Sequence, residues 1–224
     1  DGESNVVYAS GTAGSAVGSA YTTSLWDATS AIGTGEVRLV SLAPEEFLIS
    51  AALEDVDDGA PLVLFSPCWD RTVLDLAQPI KVSDGGSLIL AGVTLIGAEL
   101  IDVQEGGRLS ILNSTLVSSS GTAVSVTSTE TVTMFGAKIA SNGIGLALDG
   151  TRADRSNTWF DVGNGFGISA AHEAGVVADS RNADYGNVLS VSHSAFTGTG
   201  ATTTGAYLSK TAAVFHDTEF SAMR

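Results

Sequence analysis

The sequence predicts an all-β fold, namely a right-handed parallel β-helix (a β-solenoid) with a short N-terminal capping helix. Large apolar residues recur about every 21 to 23 residues, three such ladders share one period, and turn residues separate them. Hydrophobic residues make up 44% of the chain and charged residues 16%, a balance unlike that of disordered chains. Short strands with this spacing gain stability by stacking on the next coil.

Three ladders of apolar residues predict the positions of the strands. One ladder consists of the large apolar residues that end six short runs, namely Leu95, Leu116, Ile139, Phe160, Phe196 and Phe220. A second contains the pairs Ile80/Val82, Ile101/Val103, Val124/Val126 and Leu146/Leu148. A third contains Leu88/Leu90, Leu109/Ile111 and Val132/Met134. Because side chains alternate across a strand, each ladder predicts one inward row of a parallel sheet.

Turn residues separate the ladders. The clearest are Asp84-Gly85-Gly86, Glu105-Gly106-Gly107, Asn142-Gly143 and Asn164-Gly165. Gly and Asn accept the positive φ of tight corners, so each coil is expected to contain three short strands joined by turns.

This pattern resembles the pectin-lyase-like right-handed parallel β-helices, over roughly Gly35 to Arg224. The resemblance implies polysaccharide cleavage, by lyases with carboxylate-bound Ca²⁺ and a basic residue, or by hydrolases with Asp residues on neighbouring coils. The chain departs from the hydrolase pattern, because no Gly-His-Gly and no Arg-x-Lys follows in the later coils. Fold alone is weak support for a function.

The pattern divides the chain into three parts. Residues 1–20, which are rich in Gly, Ala and Ser, are predicted to form a flexible arm. Residues 21–78 are predicted to form an N-terminal cap and the first irregular coils, with a helix at 24–32 and strands at 37–42, 47–49 and 62–65. Residues 79–224 are predicted to form the regular coils.

One step of the first ladder is longer than a coil. It joins Phe160 to Phe196, and it predicts an insertion loop near residues 171–187. Insertions in solenoids become loops on one face, which is often the binding face. The candidate binding residues are His172, Glu173, Asp179, Arg181, Asp184 and Tyr185. The alternative is a tolerated surface loop without a ligand.

An acidic turn offers the one candidate metal site. Its residues are Glu54, Asp55, Asp57 and Asp58. Carboxylates on a flexible turn suit Ca²⁺, and a solvated turn is the alternative. No other cofactor is expected.

Two further polar groups are candidate sites. The first group indicates either a surface cleft or a set of exposed ion pairs. Its members are Asp149, Arg152, Asp154, Arg155 and Asp161. His193 and His216 occupy similar places before Phe196 and Phe220, so they are predicted to stack on successive coils, although a third metal ligand is not evident.

Charge excludes two classes of partner. The formal net charge is −15, and the scattered Lys and Arg form no basic patch, so neither nucleic acid nor anionic lipid is expected to bind. No run approaches the roughly 20 apolar residues of a membrane helix, so membrane insertion is not expected. The first residue is Asp1, which is compatible with a processed product or a part of a longer protein.

These observations favour a non-catalytic structural or adhesive solenoid over an enzyme. We expect an extracellular location, on a cell or virion surface, as a decoration, fibre or filament subunit. The expected partners are other copies of the chain, other surface or virion proteins, or a glycan, contacted through residues 1–20, 210–224 and the insertion loop. The alternative is a polysaccharide lyase or glycoside hydrolase acting on an acidic glycan.

Overall fold

The computed structural model describes residues 6–9, 21–22, 38–50, 52–53, 55–57, 61–68, 71–127, 130, 132–148, 159–162, 167–170, 174–179, 187–192, 195–198, 204–209 and 211–221. These residues form an all-β parallel solenoid of three sheets. The predicted capping helix at 24–32 lies outside them. Among the described residues, no helix has the length and apolar character needed to span a membrane.

Three sheets share the 24 strands of the described part. The first sheet contains β1 (Val6–Ala9), β2 (Tyr21–Thr22), β3 (Arg38–Leu42), β5 (Pro61–Phe65), β8 (Ser87–Ala91), β11 (Arg108–Leu112), β14 (Val132–Phe135), β17 (Trp159–Val162), β20 (Asn187–Ser192) and β23 (Thr211–His216). The second contains β4 (Glu46–Ile49), β6 (Val73–Leu76), β9 (Thr94–Gly97), β12 (Thr115–Ser118), β15 (Lys138–Ser141), β18 (Gly167–Ala170), β21 (Ala195–Gly198) and β24 (Glu219–Ser221). The third contains β7 (Ile80–Val82), β10 (Ile101–Val103), β13 (Thr122–Val126), β16 (Ile144–Leu148), β19 (Ala174–Asp179) and β22 (Thr204–Ser209).

Each regular coil contributes one strand to each sheet in turn, as β8, β9 and β10 do. The register confirms two of the predicted ladders. Ile101 lies between Ile80 and Val124 in the third sheet, and Leu109 lies between Leu88 and Val132 in the first. These inward side chains are buried and form one continuous apolar core, whose burial is the main favourable term in folding.

The regular stacking begins earlier than the ladders suggested. Strands β3 and β5 pair in the first sheet with the same inward row as β8, since Val40, Leu64 and Leu90 are aligned. Strand β4 likewise pairs with β6, and β6 pairs with β9. Beyond β3, strand β1 pairs with β3 and β2 pairs with β1, so the parallel stack of the first sheet continues past Arg38 to the first described strands.

The prediction for one ladder position was wrong. Phe160 lies in β17 of the first sheet, opposite Val132, whereas Ile168 in β18 lies opposite Ile139. The second-sheet ladder therefore runs from Ile139 through Ile168 to Phe196, with steps of 29 and 28 residues. The apparent excess after Phe160 is thus shared by two coils. Most of the added residues fall in two connections from the third sheet to the first, 149–158 and 180–186.

Glycines form the corner between the third and first sheets because there is no space for a side chain. A Cβ on Gly86 would lie 2.0 Å from the Val56 carbonyl oxygen, and one on Gly107 would lie 2.4 Å from that of Val82. The Gly86 and Gly107 N–H groups close their turns by donating to the carbonyl oxygens of Ser83 and Gln104. Stacked coils thus approach closely at this corner.

Candidate functional site

The acidic turn is partly described. Val56 is buried and forms a parallel bridge with Val82, so this segment stands beside β7 as a rudimentary strand. Asp55 is exposed and Asp57 half-buried, on either side of Val56. Glu54 and Asp58 lie outside the described residues, and within those residues no three His, Cys, Asp or Glu side chains form a metal-binding group. The Ca²⁺ site therefore stays a prediction.

The predicted insertion segment contains a strand. Residues Ala174–Asp179 form β19, which pairs with β16 and β22 in the third sheet. The other candidate binding residues, His172, Glu173, Arg181, Asp184 and Tyr185, lie outside the described part. A binding role for this segment stays a prediction.

The two smaller polar groups give a mixed outcome. Asp161 lies in β17, and Asp149, Arg152, Asp154 and Arg155 lie outside the described residues. Ser192 stands opposite His216, and His193 lies outside the described residues, so the stacking of the two histidines stays a prediction. The His216 Nδ1 atom lies 3.3 Å from Oδ2 of the exposed Asp217.

The structure brings together a set of residues that no motif in the sequence predicted. They lie on the outward side of β3, β5, β8, β11 and β14 in the first sheet, in two neighbouring rows. The central row contains Leu39, Val63, Ile89, Ser110 and Thr133. The end row contains Ser41, Phe65, Ala91, Leu112 and Phe135. We name the apolar members of these rows the apolar face.

Three large apolar side chains of the apolar face are exposed. Phe65 is 40% exposed, Leu112 36% and Phe135 47%. Alternating burial in β5, β8, β11 and β14 shows that the inward residues of the same strands are buried, so the outward ones do not contribute to the core. Contiguous exposed apolar side chains of this kind mark interaction surfaces.

The apolar face also differs from the rest of the chain in charge. Its five strands have no Asp or Glu at any described outward position, although the chain contains 25 acidic residues. The charged residue among these positions is Arg108, whose Nε atom lies 3.1 Å from Oε2 of Glu130. The face is therefore a nearly neutral surface on a strongly acidic protein.

A groove lies where the end row meets the turn into the second sheet. Its volume is about 650 Å³. Its lining consists of Phe65, Ser66, Pro67, Ala91, Gly92, Leu112, Asn113 and Gly136. The volume falls in the range of small-ligand sites, and so does the combination of apolar walls with a few polar groups.

Hydrogen bonds and two residues with positive φ stabilise the turn at the bottom of the groove. The buried Ser66 and Thr72 hydroxyls lie 2.7 Å apart, and the Thr72 hydroxyl donates to the Ala43 carbonyl oxygen at 2.9 Å. Asn113 adopts a φ of 46° and Gly136 one of 63°, and a Cβ on Gly136 would overlap the Asn113 Oδ1 atom. The exposed Asn113 amide thus lies over a glycine that leaves space for it.

Comparison of this chain with known proteins gives no match. No family model, no curated protein and no solved structure matches it. The fold is therefore established as a parallel β-solenoid by its own strand register.

The apolar face has a signal in the sequence that ladder counting passes over. Strand β5 reads Pro61-Leu62-Val63-Leu64-Phe65, and β8 contains Leu88-Ile89-Leu90-Ala91. An alternating inward pattern requires an apolar residue at every second position only. The intervening apolar residues are surplus to the core, and that surplus marks the face.

Proposed function

We propose that this chain is a non-catalytic structural or adhesive solenoid on the surface of a virion or a cell, as a decoration, fibre or extracellular filament subunit. The observation that supports it best is the apolar face. Phe65, Leu112 and Phe135 remain exposed although the same strands bury every inward residue. A solenoid that presents a rigid apolar sheet face is suited to adhering to another surface.

The partners proposed for this surface are other copies of the chain, other surface or virion proteins, or a glycan. The acidic composition, with a net charge of −15, supports solubility outside the docked state. A pectin-lyase-like relationship is proposed on the same basis as the fold, because three parallel sheets wound by short strands are what that resemblance implies.

The alternative is a polysaccharide lyase or glycoside hydrolase acting on an acidic glycan. The groove supports a ligand in that it has about the volume of a small-ligand site. None of the side chains that line it is ionisable, however, and general acid–base cleavage needs a group that transfers a proton. The groove therefore favours binding over cleavage, and an acidic glycan would meet a chain of like charge.

The test separates adhesion from cleavage in one assay. The purified chain is incubated with a panel of insoluble polysaccharides and with immobilised chain, and both retention and released sugar products are measured. We expect retention on at least one surface with no product, and a loss of retention in the variant Phe65→Ser/Leu112→Ser/Phe135→Ser. A matched control is Val117→Ser, which changes an outward residue of the second sheet with 38% exposure.

Two results would overturn the proposal. Release of unsaturated or reducing-end products by the wild-type chain would make it an enzyme. Full retention of the triple variant would remove the apolar face from the binding surface. Circular dichroism of each variant confirms that it remains folded.

A further inference from the structure

The end row of the apolar face is complementary to itself. Its successive members are Phe65, Ala91, Leu112 and Phe135, which lie on neighbouring strands. Phe135 projects, with 47% of its surface exposed, whereas the small Ala91 lines the groove between Phe65 and Leu112. Two strand spacings, or about 10 Å, separate the projection from the depression.

We propose that the apolar face binds a second copy of this chain as a two-fold dimer, with Phe135 of each copy inserted in the groove over Ala91 of the other. This proposal rests on the proposed function and names the partner of that face. A two-fold axis that lies in the interface along β11 reverses the order of the coils. It therefore places Leu112 opposite its own copy, and it exchanges Ala91 with Phe135 as an isologous contact requires.

The near-neutral character of the apolar face permits a second copy as the occupant. Two chains of net charge −15 repel one another in general, and the described outward positions of these five strands are free of carboxylates. Over these five strands, two copies can thus meet without a strand carboxylate between them. The axis places Arg108 of β11 opposite its own copy, and the Glu130 carboxylate, 3.1 Å from each Arg108, offsets the repulsion between the two guanidinium groups.

The dimer is expected to depend on salt in a characteristic direction. The exposed Asp84 and Glu105 occupy the turns that precede β8 and β11, and this axis brings the same acidic corner of both copies to one side. Salt screens their repulsion, since the Debye length falls from about 30 Å at 0.01 M to about 3 Å at 1 M. The five strands cover only about 400 Å² of flat area, below the ~800 Å² per partner of a standard interface. A weak dimer that strengthens with salt follows.

The experiment is sedimentation equilibrium of the whole chain over a range of concentrations, at low salt and at about 1 M NaCl. We expect a monomer–dimer equilibrium with the tighter dissociation constant at high salt. Ala91→Phe fills the groove and Phe135→Ala removes the projection, so each is expected to weaken the dimer about tenfold or more. The double variant Ala91→Phe/Phe135→Ala exchanges projection and depression, and it is expected to recover most of that loss.

Two further variants, one expected to be neutral and one disruptive, test whether the dimer forms through the apolar face. Val117→Ala alters a side chain on the second sheet with 38% exposure and is expected to leave the equilibrium unchanged. Leu112→Asp places two carboxylates together on the axis and is expected to leave only monomer. Circular dichroism verifies the fold of every variant.

Three outcomes would overturn the inference: a monomer at every concentration and salt, a dimer that weakens as salt is raised, or a double variant no tighter than the single ones. If the chain stays monomeric while the triple face variant still loses retention on a polysaccharide, the second copy is the wrong partner and the adhesive role stands. If both assays are negative, the adhesive role falls as well.

Discussion

The outward faces of the first and third sheets share the same coils and differ in chemistry. Strands β5, β8 and β11 present Val63, Ile89 and Leu112 among their outward residues, whereas β7, β10 and β13 present Lys81, Asp102 and Ser125. Beneath both faces, the inward rows are equally apolar and buried. The interior determines the fold, and the exterior can be apolar or polar without changing it. An apolar exterior therefore indicates a function that folding does not require.

Truncating a core side chain beneath either face is expected to lower the free energy of unfolding more than any other change considered, and it tests whether the two inward rows are equivalent. Leu109 lies beneath the first sheet and Ile101 beneath the third, and each is about 1% exposed. We expect Leu109→Ala and Ile101→Ala each to lower the free energy of unfolding by about 2–5 kcal/mol, through lost burial and the cavity left behind. Urea denaturation measures both. If one substitution were nearly neutral, the two inward rows would not be equivalent.

A substitution at the corner between the third and first sheets is expected to have the next largest effect on the free energy of unfolding. At Gly107, a Cβ would lie 2.4 Å from the Val82 carbonyl oxygen, so Gly107→Ala forces backbone to move. We expect it to lower the free energy of unfolding by about 2 kcal/mol or more. The control Gln104→Ala changes an exposed residue of the same turn and is expected to remain within about 0.5 kcal/mol of wild type. Equal stability of Gly107→Ala and wild type would contradict the close approach.

Substitution on the outward faces is expected to have the smallest effect on stability. Phe135→Ser and Ser125→Ala change the first and third sheets on their outward sides. We expect both to leave the free energy of unfolding within about 0.5–1 kcal/mol of wild type, because neither residue packs in the core. Thermal denaturation compares them. A large loss in Phe135→Ser would show that the apolar face stabilises the fold, which would remove the reason to assign it a binding role.

The Arg108–Glu130 pair offers a charge test of similar size. Their side chains are 57% and 39% exposed, so Arg108→Ala is expected to change stability by no more than about 0.5 kcal/mol, and by less at high salt. Denaturation at two salt concentrations checks this. A loss that persists at high salt would mean that the Arg108 side chain contributes packing as well as charge.

Much of the fold was predictable because stacking makes each inward position repeat. Ile80, Ile101 and Val124 identify one row from spacing alone, and the register confirms it. Phe160 shows where spacing fails. The segment Thr158-Trp159-Phe160 looks like the start of a second-sheet strand, yet longer coils shift Phe160 into the first sheet opposite Val132. Period counting assumes a constant coil length, and the 29- and 28-residue steps break that assumption.

The candidate site was less predictable, for a physical reason. Phe65, Leu112 and Phe135 are far apart in sequence and come into one row only through the register of four coils. Each one is an ordinary apolar residue at a strand end when taken alone. The sequence contains the signal as surplus apolar residues in β5 and β8, but which side of the sheet they occupy depends on knowing the inward row first.

Hydroxyl-radical footprinting, read by mass spectrometry, tests directly whether the apolar face is a binding surface that is exposed in the free chain. It measures the accessibility of Phe65, Leu112, Phe135 and the reference Val117 in dilute chain, and again at high concentration and high salt. We expect Phe65, Leu112 and Phe135 to be reactive in dilute chain and to become protected on association, while Val117 does not change. Protection of Phe65 and Phe135 already in the dilute monomer, or unchanged reactivity on association, would contradict this expectation.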